Sequence, residues 1–304
     1  MSKSEMKLCV GFTRGLSGET RKNDVLQRIR RVVSPRQIEF EERPFAVFGK
    51  ARDRREQDAL VNKAISEAFL SGADIFICDG KRVPLVLPQG IEILAVTQRK
   101  SGPAKLYTRD EKIKGMSQLE AGANIVVDDE PAAHELKAGY PHLFVELVDR
   151  PVPDALSHFL GDSLAVVCHG DDIDLIEEIE GLTNLNMPTG TMLPASGTGS
   201  IAVIGKTDLE DRAKLLRFDH YESNQALVVE REFLTQSDPE RDKGCGASAY
   251  VASEVFSLEV TVPGKHYNML TRRRTIGDMA HYQEIIKDFI RSLGLGEETE
   301  RKAG

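Results

Sequence analysis

The chain of 304 residues carries 40 basic and 48 acidic side chains, with 40% hydrophobic and 29% charged residues. This is the balance of a folded globular protein of two or three domains, not of a disordered or fibrous one. The net charge of -8 argues against a general nucleic-acid binder, which needs excess cations facing phosphate. No run approaches the roughly 18 apolar residues of a bilayer span.

The opening "MSKSEMKLCVGF" lacks an apolar signal segment, so a cytoplasmic protein without membrane attachment is expected, and we expect a monomer. Four cysteines with no CxxC pair give no metal or redox spacing, and reduced thiols are expected.

In chain order, "MKLCVGF" (6–12) predicts a strand, and the segment after it has helical spacing at Val25, Ile29 and Val32. A strand follows at 36–49, a helix at 55–72 ending at a glycine, a buried strand at 73–80, and a turn and strand at 87–99. This alternation predicts an open α/β sheet. A second alternation runs from 106 to 182: strands around 106–110, 123–129, 142–149 and 162–170, with helices at 130–141, 151–161 and 174–182. A loop rich in Gly, Pro, Ser and Thr (187–199) then leads to the strand "SIAVIG". Residues 208–236 read as strongly helical, 247–264 as strand, and 279–295 as an amphipathic helix. "GEETERKAG" reads as a polar tail. The basic clusters 28–33 and 271–275 read as solvated faces.

Cys9, Cys78 and Cys168 sit in apolar runs, whereas Cys245 stands between Gly244 and Gly246. Alone, "GCG" reads as a small residue in a turn. Three longer stretches change that reading: "ISEAFLSGADIFICDGKRVPLVLPQGIEILAVTQR" (65–99), "MLPASGTGSIAVIG" (192–205) and "NQALVVEREFLTQSDPERDKGCGASAYV" (224–251). In this order and spacing they resemble the hydroxymethylbilane synthase family, also called porphobilinogen deaminase. The resemblance implies two periplasmic-binding-protein-like (type II) α/β lobes joined by two crossovers, plus a C-terminal α+β domain. Expected bounds are 1–100 with 190–215, 101–189, and 216–304. It also implies a dipyrromethane cofactor held by a thioether to Cys245 on an exposed loop, on which porphobilinogen, a small-molecule pyrrole substrate, is condensed with loss of ammonia. The glycines would leave room for the pyrrole to reach the sulfur.

The chain departs from the family where the chemistry lies. Cationic azafulvene species need a carboxylate beside the pyrrole nitrogens, and the family supplies it in Lys-Asp-Val-Pro. Here the stretch is Lys81-Arg82-Val83-Pro84: Lys81 matches, and Arg82 holds the catalytic position with the opposite sign. Asp79 is a weaker substitute, since alternation at a strand end does not show where it points. The Gly-Thr-Ser-Ser-Leu-Arg-Arg motif that grips acid arms aligns with "VVDDEPA" (126–132). The Arg-Gly-Asn-Val-x-Thr-Arg motif aligns with "DRPVPDA" (149–155), where Arg150 is one position off. "GFTRGLSG" (11–18) resembles the Gly-Thr-Arg-x-Ser opening with one insertion, so Arg14 and Ser17 are candidate substrate ligands beside Lys81 and Arg150. They read equally well as an ordinary polar loop. The Gly-Lys-Gly loop is not recognisable around 48–57, and Thr198 replaces the glutamine of Gly-Gln-Gly.

Two functions are therefore carried forward. One is a divergent hydroxymethylbilane synthase-type transferase of tetrapyrrole biosynthesis. The other is a non-catalytic relative that binds another small ligand or a partner protein. The acidic runs at 128–130 and 170–174 read first as helix starts, and otherwise as favouring a cationic or neutral ligand. Lys81 as an amine nucleophile is the remote third option.

Overall fold

The structure, a computed structural model, describes residues 6–33, 38–47, 49, 53–156, 164–170, 172–177, 180–188, 192–209, 216–237, 244–264 and 270–295. The chain divides into two compact units, Met1–Lys100 with Gly199–Asn224, and Ser101–Thr198 with Gln225–Gly304.

The first unit contains β1 (Met6–Thr13), α1 (Leu16–Val32), β2 (Ile38–Phe45), α2 (Arg54–Leu70), β3 (Ile75–Asp79), β4 (Ile91–Val96) and the returning β10 (Ile201–Lys206). Its sheet runs β2-β1-β3-β10-β4. β1 is parallel to β2 and β3, and β10 is antiparallel to β3 and β4. Helices cover both faces, so β3 is buried along its whole length, as its unbroken apolar run predicts. Ile75 and Ile77 face the α1 side with Val25 and Ile29, while Phe76 and Cys78 face the α2 side with Val61, Ile65 and Ala68. Asp53 caps α2 by accepting the Glu56 N–H at 3.1 Å, and the turn after that helix passes through Gly72 at φ 92°.

The second unit holds β5 (Lys105–Thr108), β6 (Asn124–Val127), α3 (Glu130–Gly139), β7 (Phe144–Leu147), α4 (Val152–Leu156), β8 (Leu164–Cys168), α5 (Asp172–Glu177) and β9 (Thr183–Asn186). Its first sheet runs β7-β6-β8-β5-β9, again with an antiparallel fourth strand. The same unit contains α6 (Tyr221–Gln236, from Gln225 onward), β11 (Gly246–Ala252), β12 (Val255–Pro263), β13 (Leu270–Asp278) and α7 (Tyr282–Ser292). The three strands form an antiparallel sheet in sequence order.

This is the expected architecture: two α/β lobes of type II order, each completed by an antiparallel strand that follows a crossover, and a C-terminal α+β segment. The crossovers run side by side where the Lys100 N–H donates to the Gly199 carbonyl at 2.7 Å. Gly199 has φ 80°, and a methyl group there would lie 2.2 Å from the Lys100 carbonyl oxygen, so only glycine fits.

Several elements differ from expectation. The predicted helix 208–236 is broken before Tyr221: one 3-10 turn occupies Leu216–Phe218, and 210–215 lie outside the described residues. Asp219 and His220 instead clamp β4, Asp219 Oδ1 accepting the Val96 N–H at 2.7 Å and the His220 N–H donating to the Val96 carbonyl at 2.9 Å. Tertiary hydrogen bonds thus override local helix propensity. Of the predicted helix 174–182, α5 covers the part up to Glu177 and 178–179 lie outside the described residues, while Thr183–Asn186 form β9 as the partner of β5. Helix 151–161 is described only as α4, and the tail at 296–304 lies outside the described residues. The 271–275 cluster falls within β13, where Arg273 and Arg274 are exposed.

Candidate functional site

Strands β1 and β3 are parallel neighbours, so the loops leaving their carboxyl ends lie side by side, where open α/β sheets hold ligands. The β1 loop carries Arg14 and the start of α1. Gly18 is required there, because a methyl group on it would sit 1.7 Å from the Thr13 carbonyl oxygen. Ser17 is fully buried in the first turn of α1. Arg14 is exposed, and its backbone N–H donates to the Phe45 carbonyl at 2.8 Å.

After β3 the chain makes a single 3-10 turn over Gly80–Arg82, capped by Asp79, whose Oδ1 accepts the Lys81 N–H at 3.0 Å. α2 braces the stretch that follows: Arg54 donates to the Val83 carbonyl at 3.0 Å, and Asp58 accepts the Leu85 N–H at 2.8 Å. Lys81 and Arg82 are both buried. Arg21 reaches Asp79 Oδ2 at 3.2 Å and Lys81 Nζ approaches the same oxygen at 3.8 Å. Asp79 therefore points into this corner, with its carboxylate committed to two cations.

Sequence reasoning missed Arg21. Its signal is that Arg21, Val25 and Ile29 stand four residues apart and are all buried on one stripe of α1. A charge in such a stripe needs a partner, and Ser17 extends the same stripe.

Cys245 and Arg150 belong to the second unit. Arg150 is half-buried, and its guanidinium pairs with Asp149 at 3.0 Å. Cys245 is buried at 6% exposure, which corrects the expectation of an exposed loop. The flanking glycines serve their own packing. Gly244 has φ 82°, and a methyl group on it would fall 1.5 Å from His134 Nδ1; one on Gly246 would fall 2.6 Å from Thr261 Oγ1. The same methyl group on Gly246 would meet Leu193 and Pro131 at 3.4 Å. This closed packing around the thiol does not fit two pyrrole rings bearing four acid arms. Among the described residues no cluster of His, Cys, Asp and Glu could hold a metal ion.

The surroundings of Cys245 contain titratable groups that the sequence did not single out. Burial and the Lys137 charge lower the pKa of His134. Burial raises that of Glu135 to about 7, against the opposing Leu193 N–H, Thr261 hydroxyl and Arg272 charge. Glu230 is completely covered. Its signal resembles that of Arg21: it lies among the buried Ala226, Leu227, Val229, Phe233 and Leu234.

No family model matches the chain. It is 26% identical over 227 residues to the porphobilinogen deaminase of Deinococcus radiodurans, covering 73% of this chain and 72% of that protein. It is 23% identical over 235 residues to the porphobilinogen deaminase of Clostridium botulinum (strain Loch Maree), covering 74% and 77%. The same enzyme name belongs to a Geobacillus protein that is 23% identical over 238 residues, or 76% of each chain. Among solved structures, the regulatory domain of the Pseudomonas aeruginosa transcriptional activator MexT overlaps 69% of this chain and all of its own, with TM-score 0.43 and 11% identity. The Bordetella pertussis BvgS periplasmic VFT2 domain overlaps 70% of this chain and 85% of its own, with TM-score 0.42 and 14% identity.

Proposed function

As a distant relative of the porphobilinogen deaminases, this protein, we propose, binds a small carboxylate-bearing ligand at the carboxyl edge of the first sheet and does not condense it. The observation that carries the reading is the burial of Arg82, which the sequence resemblance sets at the family's reacting carboxylate, next to an Asp79 already held by Arg21 and Lys81. Condensation passes through cations that a negative group must stabilise. Two unit charges about 4 Å apart interact by roughly 4 kcal/mol at an effective dielectric of 20, so a guanidinium there opposes the step by several kcal/mol. The same guanidinium suits a carboxylate, which it grips with two parallel hydrogen bonds.

In this reading Lys81 and Arg82 are the principal anchors, and Ser17 and Arg14 border the site from the neighbouring loop. Cys245 carries no cofactor. The protein works in the cytoplasm as a monomer.

Calorimetric titration with porphobilinogen, which carries one acetate and one propionate arm, tests the reading. Saturable heat without ammonia release, weakened at least tenfold by Arg82→Ala, is expected. Absence of binding, or binding indifferent to Arg82, would remove the proposal.

A further inference from the structure

The second unit ends its first run at Thr198, and two buried carboxylates hold the segment just before it. Glu135 on α3 accepts the Leu193 N–H with both oxygens, at 3.2 and 3.0 Å, and bonds the Thr261 hydroxyl on β12. Glu230 on α6 accepts the Gly197 N–H at 2.8 Å and the Ser196 hydroxyl at 3.2 Å through Oε2. Its other oxygen accepts the Ala249 N–H on β11 at 2.6 Å. Thr261 in turn accepts the Gly246 N–H, one residue beyond Cys245, at 3.2 Å.

Each carboxylate thus grips both the crossover segment and the strand that begins beside the thiol, Glu230 directly and Glu135 through Thr261. Leu193 also packs on Gly246. Hydrogen bonds to a buried charged group are among the stronger polar contacts in a fold, and removing one leaves a desolvated donor behind. Neither side can therefore move without disturbing the other.

We infer that Glu135 and Glu230 form a latch coupling residues 193–198 to the cysteine strand, so that solutes reach the Cys245 thiol only when the crossover segment lets go. This goes beyond the ligand-binding proposal and does not depend on it.

The test combines two readouts on the full chain: alkylation of Cys245 by iodoacetamide, located by peptide mass, and amide hydrogen exchange over 193–198. Glu230→Gln offers one acceptor oxygen where two N–H groups need one each, and Thr261→Val cuts the second tie. Both readouts should accelerate together, by about tenfold, as expected for the loss of one such bond. Cys168, buried in the same unit, should keep its labelling rate and so report that this unit is intact. Should Glu230→Gln unfold the chain, Ser196→Ala decides, since it touches only the crossover end yet should still expose Cys245. Faster alkylation with unchanged exchange over 193–198, the converse, or no change in either would overturn the latch.

Discussion

Replacing Asp79 by Asn keeps the shape of the side chain and removes its charge while Arg21 and Lys81 stay in place. The carboxylate meets them at 3.2 and 3.8 Å, and at an effective dielectric of 20 those separations correspond to about 5 and about 4 kcal/mol of attraction. Part of this is offset in the native protein by the cost of taking the ions out of water, so the measured loss should be about 3–5 kcal/mol, as for one partner removed from a buried pair. The carboxylate is 1% exposed, so solvent screening does little to reduce it. Against a total stability of roughly 5–15 kcal/mol, the change is severe. Urea unfolding followed by circular dichroism, together with hydrogen exchange of the β3 amides, measures it. The triple variant Arg21→Met, Asp79→Leu, Lys81→Met should recover much of the loss, because packed apolar side chains replace all three ions of the corner. A loss below about 1 kcal/mol in Asp79→Asn would mean that the corner is wet, and the charge argument built on it would fail.

Two further outcomes concern the second unit. Glu135 has a pKa of about 7 in the fold against an ordinary 4.5, so the native state holds its proton more tightly. The resulting stabilisation is fully present below pH 4.5 and is lost as the pH rises through about 7, amounting to about 3 kcal/mol. The stability difference between the wild type and Glu135→Gln should therefore shift toward the variant between pH 5 and 8, and a flat difference in urea titrations would contradict it. Gly244→Ala should destabilise by well over 1 kcal/mol, since a left-handed backbone alone costs about 1–2 kcal/mol and the methyl group meets the His134 ring. Thermal melts of Gly244→Ala with and without His134→Ala separate the two causes, and only the ring contact should be relieved.

Much of the architecture was legible because local pattern and tertiary role agree. The stripe of Val25 and Ile29 fixes the buried side of α1, and the unbroken apolar run of β3 announces a strand covered on both faces. What escaped depends on distant partners. Nothing near Asp79 in sequence reveals that Arg21 will cross to it once β1 and β3 pair. The three arginines of β13 erase the alternation that marks a strand, because that strand lies at a sheet edge, where Arg273 and Arg274 stand in water and Arg272 pairs with Glu259. "GCG" reads as open space until His134 and Thr261 are seen against the two glycines; the same pattern then means close packing. Asp219 and His220 stop a helix that propensity alone would continue, because the end of β4 needs their hydrogen bonds.

The central claim, binding without condensation, is tested most directly by the intact mass of the purified protein before and after incubation with porphobilinogen, read together with ammonia release. The account predicts the bare polypeptide mass in both samples and no ammonia above the protein-free control. A mass increment of a dipyrromethane located on Cys245, or a ladder of added pyrrole units accompanied by ammonia, would contradict it.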